Sequence, residues 1–251
     1  MARRFHEITY TVPLSTPLQT EANVAPCDSD FRLIVMPGTP CNKMLFSRFL
    51  RVAPANIEVV VISRLGYGKD HHDAYPDFDD QLAAVKPFLS PANDSEFEDK
   101  PVIMMGVSYG GELALKAALD FPEIVKGVVS VAALIDEPHD YAKHLEAVGG
   151  NPGVEPFVPN RWKKVRAEIT GRRAQIGPLL SKLEKLLAPV EILHGDFDAI
   201  VPQSNAHTLM GILPNATLDI VPGGTHYLEL QYPRRIYEAV QRVYDRSALI
   251  N

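Results

Sequence analysis

The sequence predicts an α/β domain built on a mostly parallel, doubly wound sheet. Three observations carry this expectation. Short runs rich in β-branched residues recur along the chain, helix-like segments stand between them, and several runs are apolar at consecutive positions, as strands covered by helices on both faces must be.

The expected strands are, in order, EITYTV (7–12), FRLIVM (31–36), IEVVVIS (57–63), PVIMMGV (101–107), GVVSVAA (127–133), VEILHG (190–195) and ATLDIVP (216–222). Helical patterns fall at 44–53, 78–90, 111–121, 204–213 and 232–246. This alternation lays the strands in parallel, with strands added at the front. One region breaks it. From Ile135 to Ala188 no strand is evident, and a loop rich in Pro and Gly (149–160) leads into two expected helices. Trp162, Val165 and Ile169 form the apolar stripe of the first, and Leu179, Leu183, Leu186 and Leu187 that of the second. The region reads as an insertion between two core strands.

At 251 residues, with 46% hydrophobic and 22% charged residues, the chain can bury a sizeable core. A net charge of −6 argues against a nucleic-acid partner. The longest nearly apolar run, GVVSVAALI (127–135), is too short to span a bilayer, and MARRFHEITYTV lacks the apolar stretch of a secretory signal, so a soluble, cytoplasmic protein is expected. Cys27 and Cys41 make no metal-ligand spacing and read as a reduced pair. Oligomeric state cannot be read from the chain.

In such a sheet, ligands bind beyond the carboxyl ends of the strands. Ser108 lies there, in GVSYGG (106–111), where a buried strand turns into a helix. Glycines two before and two after it permit a tight turn that presents the hydroxyl, and the helix N-terminus supplies free N–H groups to negative charge. A serine needs a base to take its proton and a carboxylate to orient that base. Both candidates fall at later strand ends. GDFDAIVP (195–202) offers Asp196 and Asp198, and GGTHYLEL (223–230) offers His226. Asp198 can point back to a histidine, whereas Asp196 is placed to hydrogen-bond the turn. His194 reads as a satisfied strand-end residue, His6 as part of the terminal strand, and His71, His72, His139, His144 and His207 as surface or insertion residues.

PGTP (37–40), RLGYGKD (64–70), GVSYGG, GDFDAIVP and GGTHYLELQYP (223–233), in that order, resemble the α/β-hydrolase fold superfamily over nearly the whole chain. The resemblance implies about eight strands, with core residues 1–134 and 189–251 and a small helical cap at 135–188 over the serine. It implies Ser108 as nucleophile, Asp198 as acid and His226 as base, with the amides of Thr39 and Tyr109 as the oxyanion hole and no metal or organic cofactor. The family's usual His-Gly after the third strand is Pro37-Gly38 here, and Ser63 and Asp70 stand where Asp and Ser are frequent. That second motif is read as shaping a loop, without chemistry.

The expected activity is ester hydrolysis on a small or medium substrate, carboxylesterase-like. The same triad also serves carbon-carbon hydrolases, amidases or iminopeptidases, lactonases and thioesterases, and a hydrolase-like scaffold can bind a ligand without turnover. Between Arg161 and Lys185 eight Lys or Arg face only Glu168 and Glu184. That run reads as a solvated helix face, with selection of anionic substrates as the other reading. The acidic stretch Asp77–Asp99 reads as solvated surface, and Cys41 as a packing residue near the oxyanion loop.

Overall fold

The strands His6–Val12 (β1), Leu18–Ala25 (β2), Arg32–Met36 (β3), Glu58–Ile62 (β4), Val102–Val107 (β5), Val125–Val131 (β6), Val190–Gly195 (β7) and Ala216–Val221 (β8) form a single sheet. The computed structural model describes residues 2–41, 43–69, 73–89, 97–135, 156 and 158–249. Spatial order in the eight-stranded sheet is β1-β2-β4-β3-β5-β6-β7-β8. β1 and β2 pair antiparallel, as do β2 and β4, and the other pairs are parallel. Asp70, His71, His72, His139 and His144 lie outside the described residues, as does most of the loop at 149–160.

The two-residue period of a strand divides the core. Ile34, Met36, Val60, Ile62 and Met104 bury on one face beneath the helices Phe78–Ala83 (α2), Lys86–Leu89 (α3), Tyr109–Asp120 (α4), Asn160–Leu183 (α5) and Ser204–Ile212 (α6). Leu33, Val35, Val59, Val61, Ile103 and Met105 bury on the other face. There they meet Ser47–Arg51 (α1), which a 3₁₀ turn over Lys43–Phe46 introduces, and Pro233–Ser247 (α7). Full burial of one such Val, Leu or Ile contributes about 1.5–3 kcal/mol, so uninterrupted apolar runs mark the central strands.

β2 is the strand the pattern conceals. Its polar residues Thr20, Glu21 and Asn23 are buried, and Glu21 accepts from the buried Lys43 ammonium at 3.1 Å. Thr20 Oγ1 donates to Ser63 O at 3.3 Å, whereas Asn23 Nδ2 is buried without a partner among the described residues.

The expected pair of helices in the insertion is instead one helix, α5, running through Gly177 and Pro178. Proline usually breaks a helix because it lacks the N–H and crowds the preceding turn. Here Ile176, Leu179 and Leu183, on either side of Pro178, bury in the same core, so packing carries the helix through. Trp162 and Leu187, expected in the apolar stripes, are 49% and 69% exposed. The buried face of α5 reads Val165, Glu168, Arg172, Ile176, Leu179, Leu183 and so includes two charges. Among the described residues no helix is long and apolar enough to cross a membrane.

Candidate active site

β5 ends at Val107, and the ladder to β6 continues one residue further, Ser108 N donating to Val131 O at 2.9 Å. Ser108 then takes φ 54 and ψ −122 and becomes the N-cap of α4. A non-glycine residue in that region costs on the order of 1–3 kcal/mol and persists only where the surroundings impose it. The surroundings are backbone. A methyl on Gly110 would collide with the Met36 carbonyl of β3 and stand 2.8 Å from Pro37 O. One on Gly38 would stand 2.9 Å from Ser108 Cβ and 3.6 Å from its Oγ. The two glycines thus let the β3 loop lie against the serine. Because no side chain can yield at Gly110, Gly110→Ala is expected to destabilise the fold by about 3 kcal/mol or more, read as a lower melting temperature.

The loops after β7 and β8 bring Asp198 and His226 together. His226 Nδ1 lies 2.8 Å from Asp198 Oδ2, while Asp198 Oδ1 accepts the amides of Ile200 and Val201, each at 2.8 Å. Burial opposes the charge on Asp198, but the His226 hydrogen bond and those two amides outweigh it, and the carboxyl lies below its usual range. Asp196 instead accepts the Gly223 amide at 2.7 Å. His226 is 8% exposed, as is Ser108. The Ser108 hydroxyl makes no hydrogen bond to a described residue, His226 included. Nucleophile–base contacts of this kind often tighten only when substrate binds.

Among the remaining described histidines, His194 lies beside this pair, its Nε2 3.5 Å from Asp198 Oδ2. His6 and His207 are exposed. His194, expected as a satisfied strand-end residue, is fully buried and only half satisfied: Nε2 lies 3.0 Å from Val201 O, but Nδ1 has no partner. Burial lowers its pKa, against the Val201 carbonyl and Asp198.

Thr39 follows Gly38 in the loop after β3, and Tyr109 is the first residue of α4, where helix N–H groups have no intrahelical acceptor. Beneath this loop lies Arg64, fully buried. Its Nε donates to Pro37 O at 2.7 Å and its Nη2 to Gly38 O at 3.1 Å, and Nη1 pairs with Glu168 Oε1 of α5 at 2.6 Å. The guanidinium also lies 4.9 Å over the Tyr67 ring and 4.8 Å over the Tyr109 ring. Tyr67 OH donates to Glu168 Oε2 at 2.8 Å. Its single proton is thereby used, so at its 2.7 Å contact with Thr39 Oγ1 the threonine is the donor. Tyr109 thus packs its ring against the buried guanidinium.

A model of the alpha/beta hydrolase family matches residues 33–239. The chain belongs to that family. It is 24% identical over 252 residues to the biotin biosynthesis bifunctional protein BioHC of Cellvibrio japonicus, covering 86% of this chain and 48% of that protein. This family member thus spans about half the length of that relative. It is also 24% identical over 231 residues to a poly(3-hydroxyalkanoate) depolymerase of Ectopseudomonas oleovorans, covering 78% of each. Among solved structures it is similar to a putative lipase from Acinetobacter baumannii, with TM-score 0.75 and 16% identity over 98% of this chain and 93% of the other. That last likeness is one of fold.

Two further groups at this family site escaped the sequence reading. Glu229, three residues after His226, is 2% exposed with Oε2 unpartnered, and burial raises its pKa to about 7, against its own backbone amide and His226. Nothing in its spacing marks it as buried. Arg64 sat in a motif read as loop shape alone, although a cation beside an expected strand end was visible. Cys41 is half-buried, and burial followed by Glu229 raises its thiol pKa. Among the described residues no cluster of three His, Cys, Asp or Glu side chains could hold a metal ion.

Glu229 has a measurable consequence. Its folded pKa of about 7 exceeds the ordinary 4.5. Burying this carboxyl therefore costs stability wherever the unfolded chain ionises it: almost nothing below pH 4.5, growing to pH 7, constant above. Glu229→Gln is expected to raise stability by roughly 3 kcal/mol at pH 8 and by almost nothing at pH 4.5. Urea melts at both pH values check this, and an equal effect at the two would contradict it.

Proposed function

We propose that this chain is a serine hydrolase that cleaves an ester of small or medium size, carboxylesterase-like, through an acyl-enzyme on Ser108. The observation that carries the reading is the 2.8 Å contact between His226 Nδ1 and Asp198 Oδ2, at the same end of the sheet as a serine held at φ 54. With Nδ1 engaged, His226 Nε2 is the nitrogen left for chemistry. It takes the Ser108 proton as Oγ attacks the substrate carbonyl, and Asp198 stabilises the imidazolium. The amides of Thr39 and Tyr109 receive the negative charge that develops on the carbonyl oxygen. The imidazolium protonates the leaving alcohol, and a water deprotonated by His226 then releases the acid.

Residues 135–188 form the cap in this reading, with 1–134 and 189–251 as core. The cap selects substrate by shaping the pocket. Likeness to a poly(3-hydroxyalkanoate) depolymerase supports an ester as the bond broken.

The test is covalent. A fluorophosphonate incubated with folded protein should add one adduct, mapped by peptide mass spectrometry to Ser108. Cys41→Ala should leave labelling unchanged, since a thiol held protonated is a weak nucleophile. Folded protein that takes up no label, or takes it up elsewhere, would sink the reading.

A further inference from the structure

Helix α5 buries charge where it meets the core. Glu168 and Arg172 lie one helical turn apart and are 1% and 0% exposed. Each pairs with a different element beside the site. Glu168 holds Arg64 in the loop after β4, and Arg172 Nε meets Glu112 of α4 at 2.8 and 3.0 Å. Buried ion pairs are often no more stabilising than apolar side chains of the same volume, and their best-attested use is to fix one arrangement among several.

The arrangement fixed by Arg64 is a peptide plane. Two donors converge on Gly38 O: Arg64 Nη2 at 3.1 Å and the Cys41 amide at 3.0 Å. Arg64 Nε holds the preceding carbonyl, Pro37 O, at 2.7 Å. The Gly38–Thr39 peptide is trans, so its C=O and N–H lie in one rigid plane and point in opposite directions. Anchoring Gly38 O therefore fixes the direction of the Thr39 N–H. Glu168 controls the anchor from above, pairing with Nη1 and Nη2 of Arg64 at 2.6 and 3.3 Å. A second line runs from Glu168 through Tyr67 to Thr39 Oγ1, at 2.8 and 2.7 Å.

Resting on the serine-hydrolase reading above, we propose that Arg64 is the positioning residue of the oxyanion hole. In this proposal Glu168 of α5 holds Arg64 in register, so that the insertion sets transition-state stabilisation as well as pocket shape. Neither residue touches the reacting atoms. Their effect passes through the Thr39 amide, and so bears on the tetrahedral intermediate more than on the bound ester.

Glu168→Gln and the double variant Arg64→Met/Glu168→Leu, assayed with a p-nitrophenyl ester, test this. Glu168→Gln should lower kcat roughly 10- to 100-fold, less than complete loss of one oxyanion donor, with KM changed by no more than about threefold. Affinity for a trifluoromethyl ketone, whose adduct on serine carries the oxyanion, should fall by the same factor as kcat/KM. The double variant removes both charges together, so its melting temperature should stay near wild type even if Glu168→Gln folds poorly. Its kcat should remain low, because nothing then holds Gly38 O from that side. Recovery of kcat along with stability in the double variant, or a rise in KM alone in Glu168→Gln, would overturn the proposal. Wild-type protein that neither turns over the ester nor takes the fluorophosphonate label would overturn the serine-hydrolase reading, and this inference with it.

Discussion

Ser108→Ala is expected to abolish ester turnover, by a factor on the order of 10⁴ to 10⁶ in kcat, while the protein keeps its fold. Alanine removes Oγ and leaves the backbone at φ 54, so the strain stays and the melting temperature should move little. Ser108→Gly separates the two effects. Glycine adopts that conformation freely, and the variant should be equally inactive but more stable by about 1 kcal/mol. Steady-state assays with a chromogenic ester, beside thermal melts of both variants, check the pair. Residual turnover above about 1% of wild type in Ser108→Ala would place the nucleophile elsewhere.

Asp198→Asn is expected to lower kcat about 10⁴-fold with little change in KM. The amide oxygen can still accept from Ile200 and Val201, as Oδ1 does at 2.8 Å, so the loop should hold. What changes is the partner of His226 Nδ1, now an amide N–H donor or a neutral oxygen, so the ring loses both its enforced tautomer and the charge that stabilises the imidazolium. Asp196→Asn is the control. Asp196 accepts only the Gly223 amide in the described structure and should stay within a few-fold of wild type. Equal losses in the two variants would mean that the loop as a whole, and not the 2.8 Å contact of Asp198 with His226, supports turnover.

What could be read from sequence was what repeats. Strands such as RLIVM at 32–36 announce themselves because both faces are covered, and each residue, whichever way it points, is apolar. β2 breaks that rule with Thr20, Glu21 and Asn23 buried, and two of these, Thr20 and Glu21, meet partners from distant segments, Ser63 and Lys43. Two apolar stripes, one before and one after Pro178, read as two helices, but packing of Ile176 and Leu179 carries a single helix through the proline. Ser108, Asp198 and His226 could be nominated because each follows a strand end. Arg64, Glu168, Glu112 and Arg172 could not, because an ion pair between residues 104 positions apart leaves no local period. A counted excess of positive charge on α5 hid the fact that two of its charges point inward. One clue was present: Glu168 and Arg172 share the helical face of Val165 and Ile176, where a solvated pair does not belong.

That inward-facing pair bears on how such a protein can be remodelled. Exchanging α5 for the corresponding helix of a relative is the obvious route to new selectivity, since a segment inserted between two strands invites treatment as an interchangeable part. A replacement with an apolar underside would strand Arg64 and Glu112 as uncompensated charges in the interior, each at a cost of about 3–5 kcal/mol. Grafts should fail unless positions 64 and 112 are exchanged together with the helix, which makes the smallest transferable unit a helix plus two residues from the core.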